Sequence, residues 1–156
     1  MIKKIHLLTD IFSYPEESIL KKLNLKCSLE ETEKEYIKLF VNNFDRTICS
    51  PYAFDYFKNI NPSEFFINLK NLYKSAGVEI SEDYKEREDH IVTLLEFLEV
   101  LIKLKLSKDY IKKFINNYLF WINDFAKKIE NSTNNELYLY GAKLLKETFN
   151  EYLENN

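Results

Sequence analysis

The chain has 156 residues, a length typical of one domain, with 46% hydrophobic and 30% charged residues. Its 22 basic and 25 acidic residues give a net charge of −3, which argues against a general nucleic-acid binder. Two glycines and three prolines are too few for a strand-rich fold or a glycine-rich nucleotide loop. Two cysteines cannot form a disulfide framework or a four-cysteine zinc site. We therefore expect a reduced, intracellular, mostly helical protein.

The N-terminal residues lack the pattern of a secretion signal. Lys3 and Lys4 form a basic pair, but the apolar run after them is short and ends at Asp10. No stretch of the chain approaches the roughly 18 consecutive apolar residues of a membrane span. The sequence therefore predicts a cytoplasmic protein.

Helix signals divide the first part of the chain. A helix is predicted over Ile2–Phe12, because the residue before Pro15 avoids the helical region. A short helix is predicted over residues 15–23, and the capping-box pair Ser28 and Glu31 predicts the start of a third. The apolar face predicted for this third helix consists of Leu29, Tyr36, Ile37, Phe40, Val41 and Phe44.

The middle of the chain contains one helix and one polar loop. Asn61 followed by Pro62 predicts a helix start, and Gly77 predicts its end. The residues at helical spacing between them are Phe65, Phe66, Leu69, Leu72 and Tyr73. Residues 77–89 are polar and acidic, which predicts a hinge-like loop.

Three further helices are predicted after the loop. Helical periodicity extends over residues 89–106, and Ser107 predicts the cap of one long helix over residues 107–130. Residues 131–135 break the pattern before a final helix. The inward face of that helix is predicted at Leu137, Tyr140, Gly141, Leu144, Leu145, Phe149, Tyr152 and Leu153. Residues 1–156 therefore predict an all-α, single-domain helical bundle of about six to eight helices.

Asp89 and His90 form the one pair of adjacent residues suited to acid–base chemistry. A carboxylate beside a histidine could orient it as a base, but no motif places a nucleophile or an oxyanion turn nearby. On pattern alone we favour a structural role in which Asp89 caps the helix and His90 lies in its first turn. The two histidines also lack the spacing of a di-iron bundle. No catalytic residue, cofactor or metal is therefore expected.

Acidic and aromatic residues outside the helices offer a second kind of site. The acidic run over residues 79–89 could attract a basic peptide, although a solvated loop is the commoner meaning of such a run. Aromatic residues in the predicted breaks could bind a peptide, or each could plug a helix end, which we favour for any single ring. These aromatic residues are Tyr14, Tyr52, Phe54, Tyr56 and Tyr84.

Four short segments, taken together and in order, form a pattern that is more specific than any of their residues alone. Residues 11–17 read IFSYPEE, residues 35–40 read EYIKLF, residues 50–56 read SPYAFDY and residues 86–91 read EREDHI. In this order they resemble the TorD/DmsD/NarJ family of maturation chaperones for complex redox enzymes. EREDHI is the most specific of the four segments.

Three residues depart from that family's pattern. Arg87 stands where the family usually has proline, Phe54 where it usually has serine, and Leu94 where it frequently has glutamate. These departures concern the binding surface and the subfamily more than the fold.

The resemblance implies a cytoplasmic, system-specific chaperone for a molybdoenzyme. Such a chaperone binds the twin-arginine signal peptide, or the N-terminal region, of the catalytic subunit and assists cofactor loading and folding before export or assembly. An apolar groove would take the peptide's hydrophobic stretch, and Asp89 with neighbouring acids would face its arginines. The residues that the resemblance implies for peptide binding are Tyr36, Leu39, Phe40, Pro51, Tyr52, Asp89 and His90.

Two other functions stay open from the sequence. The first is an unrelated helical protein–protein adaptor that has no redox client. The second is a helical enzyme that uses His90 and the acidic loop. No nucleic-acid binding or membrane insertion is expected, and the chain could be a monomer or a dimer.

Overall fold

The computed structural model describes residues 1–41 and 47–153, and these ranges contain eight α-helices. The helices are α1 (Ile2–Phe12), α2 (Glu17–Lys22), α3 (Leu29–Tyr36), α4 (Pro62–Ser75), α5 (Ile91–Lys103), α6 (Lys108–Tyr118), α7 (Ile122–Glu130) and α8 (Glu136–Leu153). A π-helical turn (Ile37–Val41) continues α3, and a 3₁₀ turn (Ala53–Tyr56) precedes α4. Within the described ranges, the extended pairing consists of one antiparallel bridge between Tyr52 and His90. The prediction of an all-α, single-domain bundle of six to eight helices is confirmed.

The core forms around α1, which packs against α5 and α8. Helix α8 also packs against α6 and α7, and α5 packs against α6. Helix α1 buries one stripe, whereas α5 buries residues around most of its circumference. Full burial of an aliphatic side chain contributes about 1.5–3 kcal/mol, so burial in this shared core stabilises the fold strongly. The buried residues of α1 are Ile5, Leu8, Ile11 and Phe12.

Helices α1 and α8 approach each other closely at Gly141 of α8. A Cβ atom at this position would lie 2.7 Å from Cγ2 of Ile11 and 3.1 Å from Cζ of Phe12. Ile11 is fully buried, and its Cγ2 branches directly from Cβ, so it has little freedom to move aside. Glycine is therefore required here by packing.

Most helix ends lie where local signals predict them. Ser28 and Glu31 form both bonds of the capping box at the start of α3. Asn61 and Ser107 accept backbone N–H groups at the starts of α4 and α6. Gly77 follows α4 with a φ of +73°, a conformation that side chains disfavour. These predictions needed only short stretches of sequence, and they are confirmed.

The predicted apolar face of α3 is partly wrong. Leu39 is fully buried, whereas Ile37 and Val41 are 45% and 50% exposed. The α-helical spacing of about 3.6 residues per turn does not hold through Ile37–Val41, because these residues form a π-helical turn. Phe44 lies outside the described residues. The buried residues of α3 and the π-helical turn are Thr32, Tyr36, Leu39 and Phe40.

The long helix predicted over residues 107–130 is two helices, so that prediction is wrong. Helix α6 ends at Tyr118, and Trp121 donates its indole N–H to the Tyr118 carbonyl at 2.8 Å. Leu119, Trp121 and Ile122 are all fully buried. In one straight helix Leu119 and Ile122 would lie about 60° apart, but Trp121 would lie about 160° around the axis from Leu119, nearly on the opposite side. The break brings all three into the core, and no glycine or proline marks it.

The predicted inward position of Tyr140 in α8 is also wrong. Tyr140 is 39% exposed, whereas Tyr138 is fully buried and meets the ring of Phe40 at 5.1 Å. Tyr138 lies three residues before Gly141, so it shares the face that packs on α1. Of the other predicted residues of this face, Tyr152 and Leu153 are half-buried, and the buried ones are Leu137, Gly141, Leu144, Leu145 and Phe149.

We expect Gly141→Ala to destabilise the fold. Alanine gains about 1 kcal/mol in helix propensity, but overpacking a close helix contact costs about 1–3 kcal/mol. Because Ile11 cannot move aside easily, we expect the free energy of unfolding to fall by about 1 kcal/mol, as measured by urea denaturation.

Lys143→Ala is the control, since Lys143 is an exposed residue of the same helix. It should change the unfolding free energy by less than about 0.5 kcal/mol. A Gly141→Ala protein as stable as the wild type would show that α1 and α8 can separate without cost.

Candidate functional site

Two of the four family-like segments lie side by side in the structure. The Ala53 N–H donates to the Asp89 carbonyl at 3.1 Å, and the Ile91 N–H donates to the Pro51 carbonyl at 2.8 Å. Between these two bonds lies the bridge of Tyr52 and His90. Residues 50–56 are thereby held against residues 86–91, at the start of α5.

Asp89 is the buried charge of this site. Its side chain has no exposed surface. One carboxylate oxygen, Oδ2, accepts the Phe54 N–H at 2.8 Å and Nη2 of Arg87 at 3.0 Å. The other, Oδ1, accepts Nε of Arg87 at 3.0 Å. Three donors compensate the loss of water around a buried carboxylate, which is otherwise costly.

Arg87 contacts two acids and two rings. Besides Asp89, its Nη2 lies 3.7 Å from Oδ1 of Asp55. The guanidinium carbon lies 4.2 Å from the ring centroid of Tyr52 and 5.7 Å from that of Phe66. Burial alone would lower the pKa of Arg87, but the hydrogen bonds and charge of Asp89 outweigh it and raise that pKa. Arg87 therefore ties the loop to residues 50–56 and to α4.

His90 is the N-cap of α5. Its Nδ1 accepts the Val92 N–H at 3.2 Å, so in the neutral ring the proton lies on Nε2. Burial lowers the pKa of His90, against the opposing effect of the nearby Glu86 and Asp89 charges. The expectation that Asp89 caps the helix and His90 lies in its first turn is wrong. Asp89 is instead engaged by Arg87, which leaves the cap to His90.

Glu86 connects this cluster with α3. The Tyr52 O–H donates to the Glu86 carboxylate, and burial raises the pKa of Tyr52, with Glu86 adding to the effect. The pKa of Tyr36 is raised to about 12, first by burial and then by the Glu86 charge. The Glu86 residue is exposed to solvent. It is therefore an accessible acid beside two tyrosines, and the sequence analysis did not single it out.

A row of rings runs inward from this surface. The Tyr14 ring meets Tyr36 at 5.4 Å, Tyr36 meets Phe40 at 5.4 Å, and Phe40 meets Tyr138 at 5.1 Å. Tyr14 is 54% exposed, whereas Phe40 and Tyr138 are buried. Only the outer end of the row can contact a partner.

The seven residues implied for peptide binding differ in accessibility. Tyr36, Leu39, Phe40, Pro51, Asp89 and His90 are buried, and Tyr52 is half-buried. Pro51, Tyr52, Asp89 and His90 are brought together by the pairing of the two segments, while Leu39 and Phe40 belong to the core. The exposed groups beside them are Tyr14, Glu86 and Arg87. The EREDHI segment contained the two charged ones, but their exposure depends on contacts distant in sequence.

Three of the loop rings close gaps between elements. Tyr56 stacks on Trp121 at 4.7 Å and donates its O–H to the Ser50 carbonyl. Phe54 packs on the aromatic residues of α4, at 5.4 Å from Phe65. Tyr84 shares a hydrogen bond with Thr93 on α5. Each of these three rings therefore makes a contact within the fold, whereas Tyr14 is exposed.

An apolar cleft lies between the loop and α5. Its volume is about 280 Å³. Tyr84 lines this cleft, and burial raises the pKa of its phenol. Two acids, Glu79 and Glu96, belong to the cleft's own lining. Its apolar lining includes Tyr73, Val78, Ile80, Tyr84, Phe97 and Val100.

The described residues contain neither a candidate metal site nor a membrane-spanning helix. Among residues 1–41 and 47–153, no group of three or more His, Cys, Asp or Glu side chains could hold a metal ion. In the same ranges, no helix has the length and hydropathy needed to cross a bilayer.

Residues 13–127 match the family model described as nitrate reductase delta subunit. The chain belongs to this family. The resemblance to the TorD/DmsD/NarJ chaperones is thereby confirmed.

Two curated relatives of this family member are named as chaperones. The chaperone protein TorD of Colwellia psychrerythraea is 29% identical over 153 residues, covering 80% of the chain and 64% of that protein. The perchlorate reductase assembly chaperone protein of Dechloromonas aromatica is 27% identical over 88 residues, covering 56% of the chain and 39% of that protein. The matched region thus spans less than two thirds of either relative's length.

A solved structure supports the fold of this family member. A candidate redox enzyme maturation protein from Archaeoglobus fulgidus superposes with a TM-score of 0.68, covering 96% of this chain and 94% of that one. The two sequences are 23% identical. At this identity the likeness concerns the fold alone.

We expect Asp89→Asn to destabilise the protein by about 2 kcal/mol, the scale of a hydrogen bond to a charged group. Asparagine can still accept one N–H, but it cannot hold both arms of the Arg87 fork. Urea unfolding measures the loss. Asp83→Asn, in the exposed part of the same loop, is the control and should stay within about 0.5 kcal/mol of the wild type.

We expect His90 to make the fold sensitive to acid. Because burial lowers its pKa, the unfolded chain binds a proton below about pH 6.5 that the folded chain does not. The stability that this histidine contributes is present above pH 6.5 and is lost as the pH falls. His90→Asn keeps a cap acceptor and removes the titration. Its unfolding free energy should therefore fall less between about pH 7 and pH 5 than that of the wild type.

His6→Asn is the matched variant for this measurement. It removes the chain's other histidine and leaves His90 in place, so the acid sensitivity caused by His90 should persist. If His90→Asn keeps the full wild-type slope, proton uptake by His90 is not its source.

Proposed function

We propose that this protein is a cytoplasmic, system-specific chaperone for a molybdoenzyme catalytic subunit. It binds the subunit's twin-arginine signal peptide or N-terminal region and assists cofactor loading and folding before export or assembly. It acts by binding and not by catalysis. The observation that carries the proposal is the acidic and aromatic surface at Tyr52 and Glu86, on a chain of this chaperone family.

The names of the relatives support a redox enzyme as the partner. One relative is named for its TorD chaperone role, and the other for assembly of perchlorate reductase. Both names concern the handling of another protein. They favour this function over an adaptor that has no redox client.

The exposed groups of the site suit a basic and apolar peptide. Glu86 offers a carboxylate at the surface, and carboxylates pair with arginine through two parallel hydrogen bonds. The half-buried Tyr52 adds an aromatic face beside it, and the exposed Tyr14 ring packs on Tyr36, whose pKa the Glu86 charge raises. The cleft between the loop and α5 is lined by residues of the same loop that carries Glu86, and it offers apolar walls to the hydrophobic residues of a signal peptide.

Residues 77–89 act as the hinge of this single-domain protein in our proposal. The loop begins at Gly77, whose φ of +73° redirects the chain after α4. Its far end is anchored, because the Tyr73 O–H donates to the Glu88 carbonyl at 2.6 Å. A peptide that enters the cleft would therefore meet the part of the loop between these two points.

The proposed partner can be identified by affinity purification. Tagged protein is purified from anaerobic extract of its own host, and the associated proteins are identified by mass spectrometry. We expect a molybdoenzyme catalytic subunit that retains its N-terminal segment. A different stable partner, found while such an enzyme is expressed, would favour the adaptor function instead.

A matched pair of variants tests whether Glu86 belongs to the peptide-binding surface. Glu86→Gln removes the exposed carboxylate beside Tyr52, and Glu82→Gln removes one charge from the exposed part of the loop. We expect Glu86→Gln to weaken binding of the partner's N-terminal peptide about tenfold, measured by calorimetry. Glu82→Gln should change it less than twofold. Equal affinities for the two variants would exclude Glu86 from the peptide site.

A further inference from the structure

Arg87 occupies the place in this site that suits an arginine of the partner. Its Nε and Nη2 donate to the two oxygens of Asp89, both at 3.0 Å. A second carboxylate, on Asp55, lies 3.7 Å from Nη2, and the Tyr52 ring lies 4.2 Å below the guanidinium carbon. A fork of two hydrogen bonds, a second acid and a ring face are the contacts by which proteins bind a guanidinium group.

The site distinguishes arginine from lysine. Only two of the chain's 22 basic residues are arginines, at positions 46 and 87. An ammonium group is a point charge and cannot make the two parallel bonds that Asp89 receives. The neighbouring Lys70, in contrast, pairs with Glu88 by one contact of 3.1 Å.

The exposure of the two partners differs. The Asp89 side chain has no exposed surface, whereas 43% of the Arg87 side chain is exposed. Arg87 can therefore exchange its contacts for water, but Asp89 cannot. Loss of Arg87 alone would leave a buried charge with one remaining donor, the Phe54 N–H. Another guanidinium group in the same position could again donate two hydrogen bonds to the buried Asp89 carboxylate.

We propose that Arg87 is an internal substitute for the partner's arginine. In the free protein it holds Asp89, and an arginine of the partner's N-terminal segment binds Asp89 by displacing it. This inference rests on the proposed function for the identity of the partner. Because Arg87 is only two residues from Asp89, it competes at a high effective concentration and lowers the affinity for weak cationic ligands. Arg87 thereby sets which peptides bind.

The guanidinium site can be tested without the partner. We expect Arg87→Ala to lower the melting temperature, and ethylguanidinium at about 10 mM to restore a large part of the loss. Ethylammonium at the same concentration should restore much less, and ethylguanidinium should have little effect on the wild type. In the double variant R87A/D89N the buried charge is absent, so the guanidinium rescue should disappear.

If Arg87→Ala does not fold, Arg87→Lys can be used in its place for the same test of the guanidinium site. It retains a cation without the fork, and ethylguanidinium should stabilise it more than it stabilises the wild type. Equal stabilisation by the two cations, or rescue that persists in R87A/D89N, would overturn the proposed guanidinium site.

A peptide measurement separates this inference from the proposed function. The probe is a synthetic peptide with two consecutive arginines followed by an apolar segment. We expect Arg87→Ala to bind it about tenfold more tightly than the wild type, and Lys85→Ala, in the same exposed loop, to bind it like the wild type. Weaker binding by Arg87→Ala would show that Arg87 contacts the peptide itself, which overturns the displacement but leaves the chaperone function. Cation rescue without peptide binding by any variant would support the site and overturn the proposed partner.

Discussion

The buried carboxylate of Asp89 is the constraint on which the arrangement of the site depends. A fully buried charge must have compensating donors, and here they come from two segments, Phe54 on one side and Arg87 on the other. The same residue's carbonyl accepts the Ala53 N–H, so side chain and backbone hold the same neighbour. Satisfying this one group aligns residues 50–56 with the start of α5, and the accessible surface follows from that alignment.

The consequences extend along the chain in both directions. With Asp89 engaged by Arg87, His90 becomes the cap of α5, and its ring packs against Tyr52 at 5.3 Å. Tyr52 in turn bonds Glu86, whose charge reaches Tyr36 on α3. The loop and the row of rings that leads from Tyr14 into the core are therefore linked through the charge of Glu86.

Helix ends that depend on neighbouring residues could be predicted from the sequence, whereas features that depend on packing between distant segments could not. The capping box at Ser28 and the stop at Gly77 involve neighbours in sequence, and both predictions are confirmed. The break at Trp121 was missed because burial of three side chains outweighs a continuous helix pattern. The EREDHI segment identified Asp89 and His90 as candidate site residues. Which of them caps α5 depends on the contacts of Asp89 with Arg87 and with residues 50–56. Whether the buried site residues contact a partner stays a prediction.

The chain's single tryptophan gives this protein a built-in optical probe. Trp121 is fully buried and stacks against Tyr56 at 4.7 Å, and Tyr56 belongs to the segment that carries Tyr52. Indole emission depends on the polarity and contacts of its surroundings. A rearrangement of residues 50–56 would therefore alter the emission of one fluorophore at a known depth, and would do so without labels or added cysteines. The same ring that interrupts the helix pattern thus makes the position of residues 50–56 observable in real time.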